Sequence, residues 1–216
     1  MTTVQATKRA LRKSVGATLR SLPTANVQEQ SHAIASRVLA LPAFAKSKTI
    51  SCYLSMPTGE VDTASLVTEI LRAGKALFVP KIDRTIEGRM EFLKVYGEED
   101  LQAFSSGQWG IREPEYILGG QRRMSVEDVA SEGLDMILVP GVAFDKSLSR
   151  LGHGKGYYDR FISTYTSLPG RKRPLLVALS LREQLLEAGQ VPITDNDWKM
   201  DTIVSPDGTI NTDDTS

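Results

Sequence analysis

The 216 residues predict an α/β protein: a single domain with a mainly parallel sheet flanked by helices on both faces. Two observations carry that expectation. Short, continuously apolar runs such as "ALFVP", "LDMILVP" and "PLLVALS" alternate along the chain with amphipathic stretches of helical period. Strands buried on both faces read this way, because crossover helices cover a parallel sheet above and below. In addition, 41% hydrophobic and 24% charged residues suffice to bury a substantial core in a chain of this length.

The elements follow in order. Leu11, Val15, Leu19 and Leu22 recur at helical spacing through 7–22, and Pro23 ends that helix. A second helix is expected over 26–40, stopping near Pro42. "KTISCYL" (48–54) is β-rich, and "TASLVTEILRAG" (63–74) is an amphipathic helix with Asp62 as N-cap and Gly74 at its close. "ALFVP" (76–80) is a short buried strand. Between 81 and 131 only "MEFLKVY" alternates like a strand, while Gly107, Trp109, Gly110, Pro114, Gly119 and Gly120 mark loops. A strand over 134–140, a helix over 156–166, a strand over 174–180, a helix over 181–189 ("LREQLLEAG") and a strand over 201–205 complete the set. In such sheets ligands collect at the carboxyl ends of the strands. That rule directs attention to 54–60, 80–84, 140–159 and Ser180.

Composition excludes several kinds of chemistry. Cys52 is the only cysteine, and His32 and His153 are the only histidines. No internal disulfide, Cys-rich zinc site or multi-histidine metal site can be assembled from them. The work must fall to Lys, Arg, Asp, Glu, Tyr and backbone groups. With 26 basic and 26 acidic residues the chain lacks the cationic excess of a general nucleic-acid binder. Its apolar runs fall short of the ~20 residues that span a bilayer. Lys8, Arg9, Arg12, Lys13 and Arg20 precede the first acid, Glu29, which is also the composition of a mitochondrial presequence.

The most informative stretch is "SRLGHGKGYYDRF" (149–161). Gly152, Gly154 and Gly156 would let backbone N–H groups close on an anion, and the helix that follows favours negative charge at its start. Arg150 and Lys155 add positive charge for phosphate oxygens. The stretch is not a Walker A loop, since Lys155 is followed by Gly156, nor a dinucleotide fingerprint, since Tyr157 stands where a third glycine is required. Asp159 falls in the first turn of the helix, where it either compensates the dipole or holds Mg²⁺ beside a polyphosphate. Asp195, Asp197 and Asp201 are candidates for a second ligand. On the first helix, Lys8 and Arg12 share the arc of the apolar stripe, so they either snorkel at its edge or meet an anionic ligand. Glu60, just beyond a strand end, is either solvated or an acceptor for a donor-rich ligand.

Together these residues resemble the 5-formyltetrahydrofolate cyclo-ligase family, also called 5,10-methenyltetrahydrofolate synthetases. The likeness is carried by "KRALR", "YLSMPTGEVDT", "LDMILVPGVAFDKSLSRLGHGKGYYDRF" and "VPITDNDWKMDTIVS", and most specifically by its RLGxGxGYYD core. The resemblance implies one α/β domain over 1–209 with a flexible tail over 210–216. It implies an ATP- and Mg²⁺-dependent closure of 5-formyltetrahydrofolate to 5,10-methenyltetrahydrofolate, releasing ADP and phosphate. ATP contacts are implied at Lys8, Arg9 and Arg12, and at Arg150, Leu151, Gly152, His153, Gly154, Lys155, Gly156, Tyr157 and Tyr158. Folate contacts are implied at Arg12, Leu54, Glu60, His153, Gly154, Lys155, Gly156 and Tyr157. Metal contacts are implied at Asp159 and Asp197.

Arg150, Lys155 and Tyr157 are the expected catalytic residues, and His153 is expected as a loop residue near phosphate rather than a general base. Trp109 is read as an aromatic wall for the folate or as a loop anchor. The partners expected are the two small molecules alone, with no nucleic acid or membrane, for a monomer. If Lys8 and Arg12 serve ATP, the basic N-terminus cannot be cleaved off. The expected compartment is therefore the cytoplasm, the alternative being mitochondria through an uncleaved signal. Two rival readings are a sugar-phosphate isomerase or CoA transferase on a similar scaffold, and a non-catalytic nucleotide-binding module.

Overall fold

Helices gather at the N-terminal end of the computed structural model, which describes residues 3–107, 110–128 and 130–212. They are α1 (Val4–Ser21), α2 (Thr24–Ala40) and the single turn α3 (Pro42–Lys46). Then come β1 (Thr49–Cys52), α4 (Ala64–Arg72), β2 (Ala76–Ile82), β3 (Met90–Val95) and α5 (Glu98–Gln102). Four two-residue strands make a pair of small hairpins: β4 (Ser105–Ser106) with β5 (Arg112–Glu113), and β6 (Ile117–Leu118) with β7 (Gln121–Arg122). The second half holds β8 (Met136–Val139), β9 (Ala143–Asp145), β10 (Arg150–Leu151), α6 (Tyr157–Ser167), β11 (Leu175–Leu179), β12 (Leu185–Leu186), β13 (Thr202–Val204) and β14 (Thr209–Asn211).

The main sheet has seven strands in the order β14-β13-β11-β8-β1-β2-β3. Its interior pairings are parallel, and only the outermost ones, β2 with β3 and β13 with β14, are antiparallel. Helices lie on both faces, as the apolar runs predict. On one face Ile50 and Cys52 of β1, Leu77 and Val79 of β2, and Met136 and Leu138 of β8 pack with Ile34, Val38, Leu66 and Ile70 of α2 and α4. On the other, Phe78, Ile137, Val139 and Leu176 meet Phe161, Ile162 and Tyr165 of α6. Successive strand side chains point to opposite faces, so a run that is apolar at every position serves both layers. Each fully buried side chain of this kind contributes about 1.5–3 kcal/mol.

Several boundaries follow from local chemistry. Pro23 and Pro42 separate the first helices; the N-cap of α4 is Thr63 rather than the expected Asp62, whose carboxylate one residue earlier accepts the Ala64 N–H at 2.9 Å. Gly74 closes α4, its N–H bonded to the Leu71 carbonyl at 2.9 Å.

One expected helix is absent. Residues 181–189 form a 3₁₀ turn at Arg182–Gln184 followed by β12, which pairs in parallel with β9. Tertiary contacts override the helical period there: buried Gln184 accepts the Leu181 N–H at 2.9 Å and donates to the Gly141 carbonyl at 2.7 Å. Leu185 and Leu186 then pair with Phe144 and Asp145. At the C-terminus, β14 takes in Ile210 and Asn211, the first residues of the expected tail, while 213–216 lie outside the described residues.

Candidate active site

At the carboxyl ends of β1, β2 and β8 the chain opens into a cavity of about 390 Å³. Tyr53, Leu54, Met56 and Glu60 line it from the loop after β1, and Pro80, Met90 and Pro140 from neighbouring strand ends. Arg150, His153, Lys155, Tyr157 and Tyr158 close it from the glycine stretch and the start of α6. On the other side of that stretch lies a more polar cavity of about 480 Å³, lined by Lys8 and Arg12 of α1, by Leu151, Gly154 and Arg160, and by Thr194 and Asp197. Gly152, Gly156 and Asp159 line both cavities and form the wall between them. Gly154 and Gly156 hold φ of 98° and 65°, which side chains disfavour. A Cβ on Gly156 would lie 3.1 Å from Arg160 Nη1.

The wall is held by charge. Arg150, 5% exposed, donates from Nη2 to Asp159 Oδ2 at 2.7 Å, and the Trp198 N–H reaches Asp159 Oδ1 at 3.0 Å. Arg12 donates to the Gly152 carbonyl at 2.8 Å, tying α1 to the loop. Buried Lys8 donates to Asp197 Oδ2, which also accepts the Thr194 N–H at 2.6 Å and its hydroxyl at 2.8 Å. Burial alone would raise the Asp197 carboxyl, but the donors on Lys8 and Thr194 outweigh it and hold the group below the usual range.

Glu60 is 6% exposed and has a structural bond that its sequence position did not announce: Oε1 accepts the Met56 N–H at 2.5 Å, closing the 56–60 loop. Burial pushes its carboxyl up to about 7, only partly opposed by that bond. His153 Nε2 lies 4.0 Å from Glu60 Oε2, and desolvation, with Arg150 and Arg12 nearby, lowers the imidazole from its ordinary value. Burial holds the Tyr53 and Tyr158 phenols well above their ordinary range, with Glu60 adding to both. Among the described residues, both hydroxyls and Arg150 Nε are buried without a hydrogen-bond partner. Such groups are costly unless something satisfies them, and all three residues line the first cavity.

The residues expected from the sequence divide between the cavities. Lys8, Arg12, Leu151 and Gly154 face the polar one; Leu54, Glu60, Arg150, His153, Lys155, Tyr157 and Tyr158 face the other. Arg9 is exposed and lines neither, since one step along a helix turns it about 100° from Lys8. Of Asp195, Asp197 and Asp201, only Asp197 lines either of these cavities. Asp195 is exposed, and Asp201 pairs with Arg173 at 2.8 Å. Trp109 lies outside the described residues. Tyr53 and Thr194 went unnoticed in the sequence. An aromatic at a strand's carboxyl end was the available signal for Tyr53, and no local pattern marked Thr194.

Fold and site together define an α/β enzyme with a two-compartment site at the carboxyl edge of a mainly parallel sheet. More narrowly, the chain belongs to the 5-formyltetrahydrofolate cyclo-ligase family, which residues 4–206 match. It is 35% identical to the 5-formyltetrahydrofolate cyclo-ligase of Saccharomyces cerevisiae, over 95% of this chain and 98% of that one. It is 36% identical to the mitochondrial 5-formyltetrahydrofolate cyclo-ligase of Arabidopsis thaliana, over 94% of this chain and 75% of that one. Among solved structures, the 5,10-methenyltetrahydrofolate synthetase of Aquifex aeolicus superposes with a TM-score of 0.73 at 31% identity, covering 94% of this chain and 92% of that one. Membership of this family sets aside the isomerase, transferase and non-catalytic readings.

Proposed function

We propose that the chain is an ATP-dependent ligase that converts 5-formyltetrahydrofolate to 5,10-methenyltetrahydrofolate, by phosphorylating the formyl oxygen. The observation that carries this reading is the shared glycine wall, with a cavity containing Glu60, Tyr53 and Tyr158 on one side and Lys8 and Arg12 on the other. A formyl amide oxygen is a poor leaving group. Attack on that oxygen's carbon by the second folate nitrogen would expel oxide, whereas a phosphorylated oxygen departs as phosphate.

Phosphoryl transfer needs positioning and charge stabilisation more than a protein nucleophile. Lys8, Arg12 and the 152–156 backbone are suited to the nucleotide phosphates. Arg150 and Lys155, which face the folate-side cavity, are suited to the formyl oxygen as it takes up the γ-phosphoryl group, and Tyr157 to packing against the ring. No group of three or more His, Cys, Asp or Glu that could hold a metal occurs among the described residues. Asp159 and Asp197 line the polar cavity paired with Arg150 and Lys8, and would hold Mg²⁺, which usually takes one or two carboxylates plus phosphate oxygens and water, by sharing those carboxylates with it. When bound, Mg²⁺ would neutralise charge on the transferring phosphate.

Incubating the protein with both substrates and Mg²⁺, and following the absorbance of the conjugated methenyl product, tests the reading directly. ATP binding without product would sink it. No helix among the described residues is long and apolar enough to cross a membrane. A cytoplasmic monomer is the form we propose; for the compartment, Lys8 and Arg12 line the polar cavity, so cleavage of the basic N-terminus would remove them. The mitochondrial alternative is supported by the basic helix and by the Arabidopsis relative's location. Imaging the tagged full chain distinguishes the two.

A further inference from the structure

Closing the five-membered ring requires a proton to leave. Once the formyl oxygen carries phosphate, the N10 lone pair forms the new bond to the formyl carbon, and the C–O bond breaks with its electron pair leaving on phosphate. N10 starts with a hydrogen, and the methenyl product has none there. Unless that proton is removed, the protonated amine is the better leaving group and the new bond reverts.

Few groups in the folate-side cavity could take the proton. Both Asp159 oxygens already accept hydrogen bonds, from Arg150 and from the Trp198 N–H. Glu113 faces Lys81 at 3.6 Å. The phenols of Tyr53 and Tyr158 are held protonated. His153 is half-exposed and its imidazole is depressed, which makes it the weaker base. Glu60 differs from all of these: it is buried, pairs with no Lys or Arg among the described residues, spends Oε1 on the Met56 N–H, and turns Oε2 toward His153 on the cavity wall.

We propose that Glu60 is the general base of ring closure, its Oε2 accepting the N10 proton as the C–N bond forms. This rests on the cyclo-ligase reading and adds to it a residue for the second chemical step. The titratable and charged groups around Glu60 are Cys52 and Tyr53 at the end of β1, Asp62 on its own loop, His153 and Arg150 from the glycine stretch, and Tyr158 on α6. Cys52 and both tyrosines stay neutral, and Arg150 is engaged with Asp159. A base matched to neutral pH is efficient for such a transfer.

The test compares wild type with Glu60→Gln, which keeps the size of the side chain and an acceptor for the Met56 N–H, and with Glu60→Asp. Rapid-mixing experiments follow ADP and methenyl product separately. At saturating substrates, Glu60→Gln is expected to close the ring about 100-fold or more slowly and to lose far less in first-turnover ADP formation. Glu60→Asp recovers part of that loss, and the acid limb of kcat expected for wild type near neutral pH is absent in Glu60→Gln. Wild-type ring closure in Glu60→Gln would overturn the proposal, as would a defect confined to KM or one that slows ADP formation and ring closure equally. A wild-type protein inert toward ATP and 5-formyltetrahydrofolate would instead overturn the underlying reaction and this step with it.

Discussion

Burying Glu60 should leave a signature in the pH dependence of folding. Its carboxyl titrates near 7 when folded, against 4.5 as an ordinary glutamate, so the unfolded chain gives up this proton first. Stability therefore falls as pH rises through that window and stays lower above it. Glu60→Gln is expected to be more stable than wild type at mildly alkaline pH, by up to roughly 3 kcal/mol. The two should converge below about pH 4.5; denaturant titrations on either side of the window measure the difference, and a constant offset would contradict the assignment. Lys8 presents the opposite case, a buried cation with its carboxylate partner. Lys8→Ala leaves Asp197 to Thr194 alone and removes a cation from the polar cavity. The expected result is a rise of about tenfold in KM for ATP with a stability loss of about 1–3 kcal/mol, read by steady-state kinetics and thermal melts. An unchanged KM would remove Lys8 from the nucleotide site.

Helix α1 and the glycine stretch act as a pair. The first half of α1 carries Lys8 and Arg12 to the polar cavity, while its second half inserts Val15 and Leu19 into the core. Arg12 bonds the Gly152 carbonyl, so the helix also steadies the wall. Deleting residues 1–12 should therefore abolish activity while leaving the sheet folded. Circular dichroism and the methenyl assay check both halves of that statement, and full activity in the truncated chain would refute it. The glycine stretch had much of its character in its letters: three glycines, a strand before and a helix after. Which side chains it turns to which cavity was not legible there. Tyr158, expected among the ATP contacts alone, lines the same cavity as Lys155 and Tyr157, which were expected to meet both substrates.

Across the whole molecule, the two cavities share a wall one loop thick. Gly152, Gly156 and Asp159 contribute to both, so a nucleotide that orders the loop on one side also shapes the other. Binding of a non-hydrolysable ATP analogue is expected to tighten folate binding at least about fivefold, and reciprocally. Calorimetric titration of each ligand with and without the other measures that coupling. Identical affinities would mean that the cavities act independently.

Local chemistry in the sequence was enough for the parallel sheet, its covering helices, the Pro and Gly boundaries and the anion-friendly glycine stretch. Strand and helix periods are written in near neighbours, and backbone freedom in single glycines. Packing put Asp197, rather than Asp195 or Asp201, on the polar cavity, turned Leu185–Leu186 from helix to strand, and buried Glu60. Those outcomes depend on partners far apart in the chain, such as Lys8 and Asp197, 189 residues distant. No spacing rule reaches that far, because burial and ion pairing are set by what the folded chain brings against each side chain.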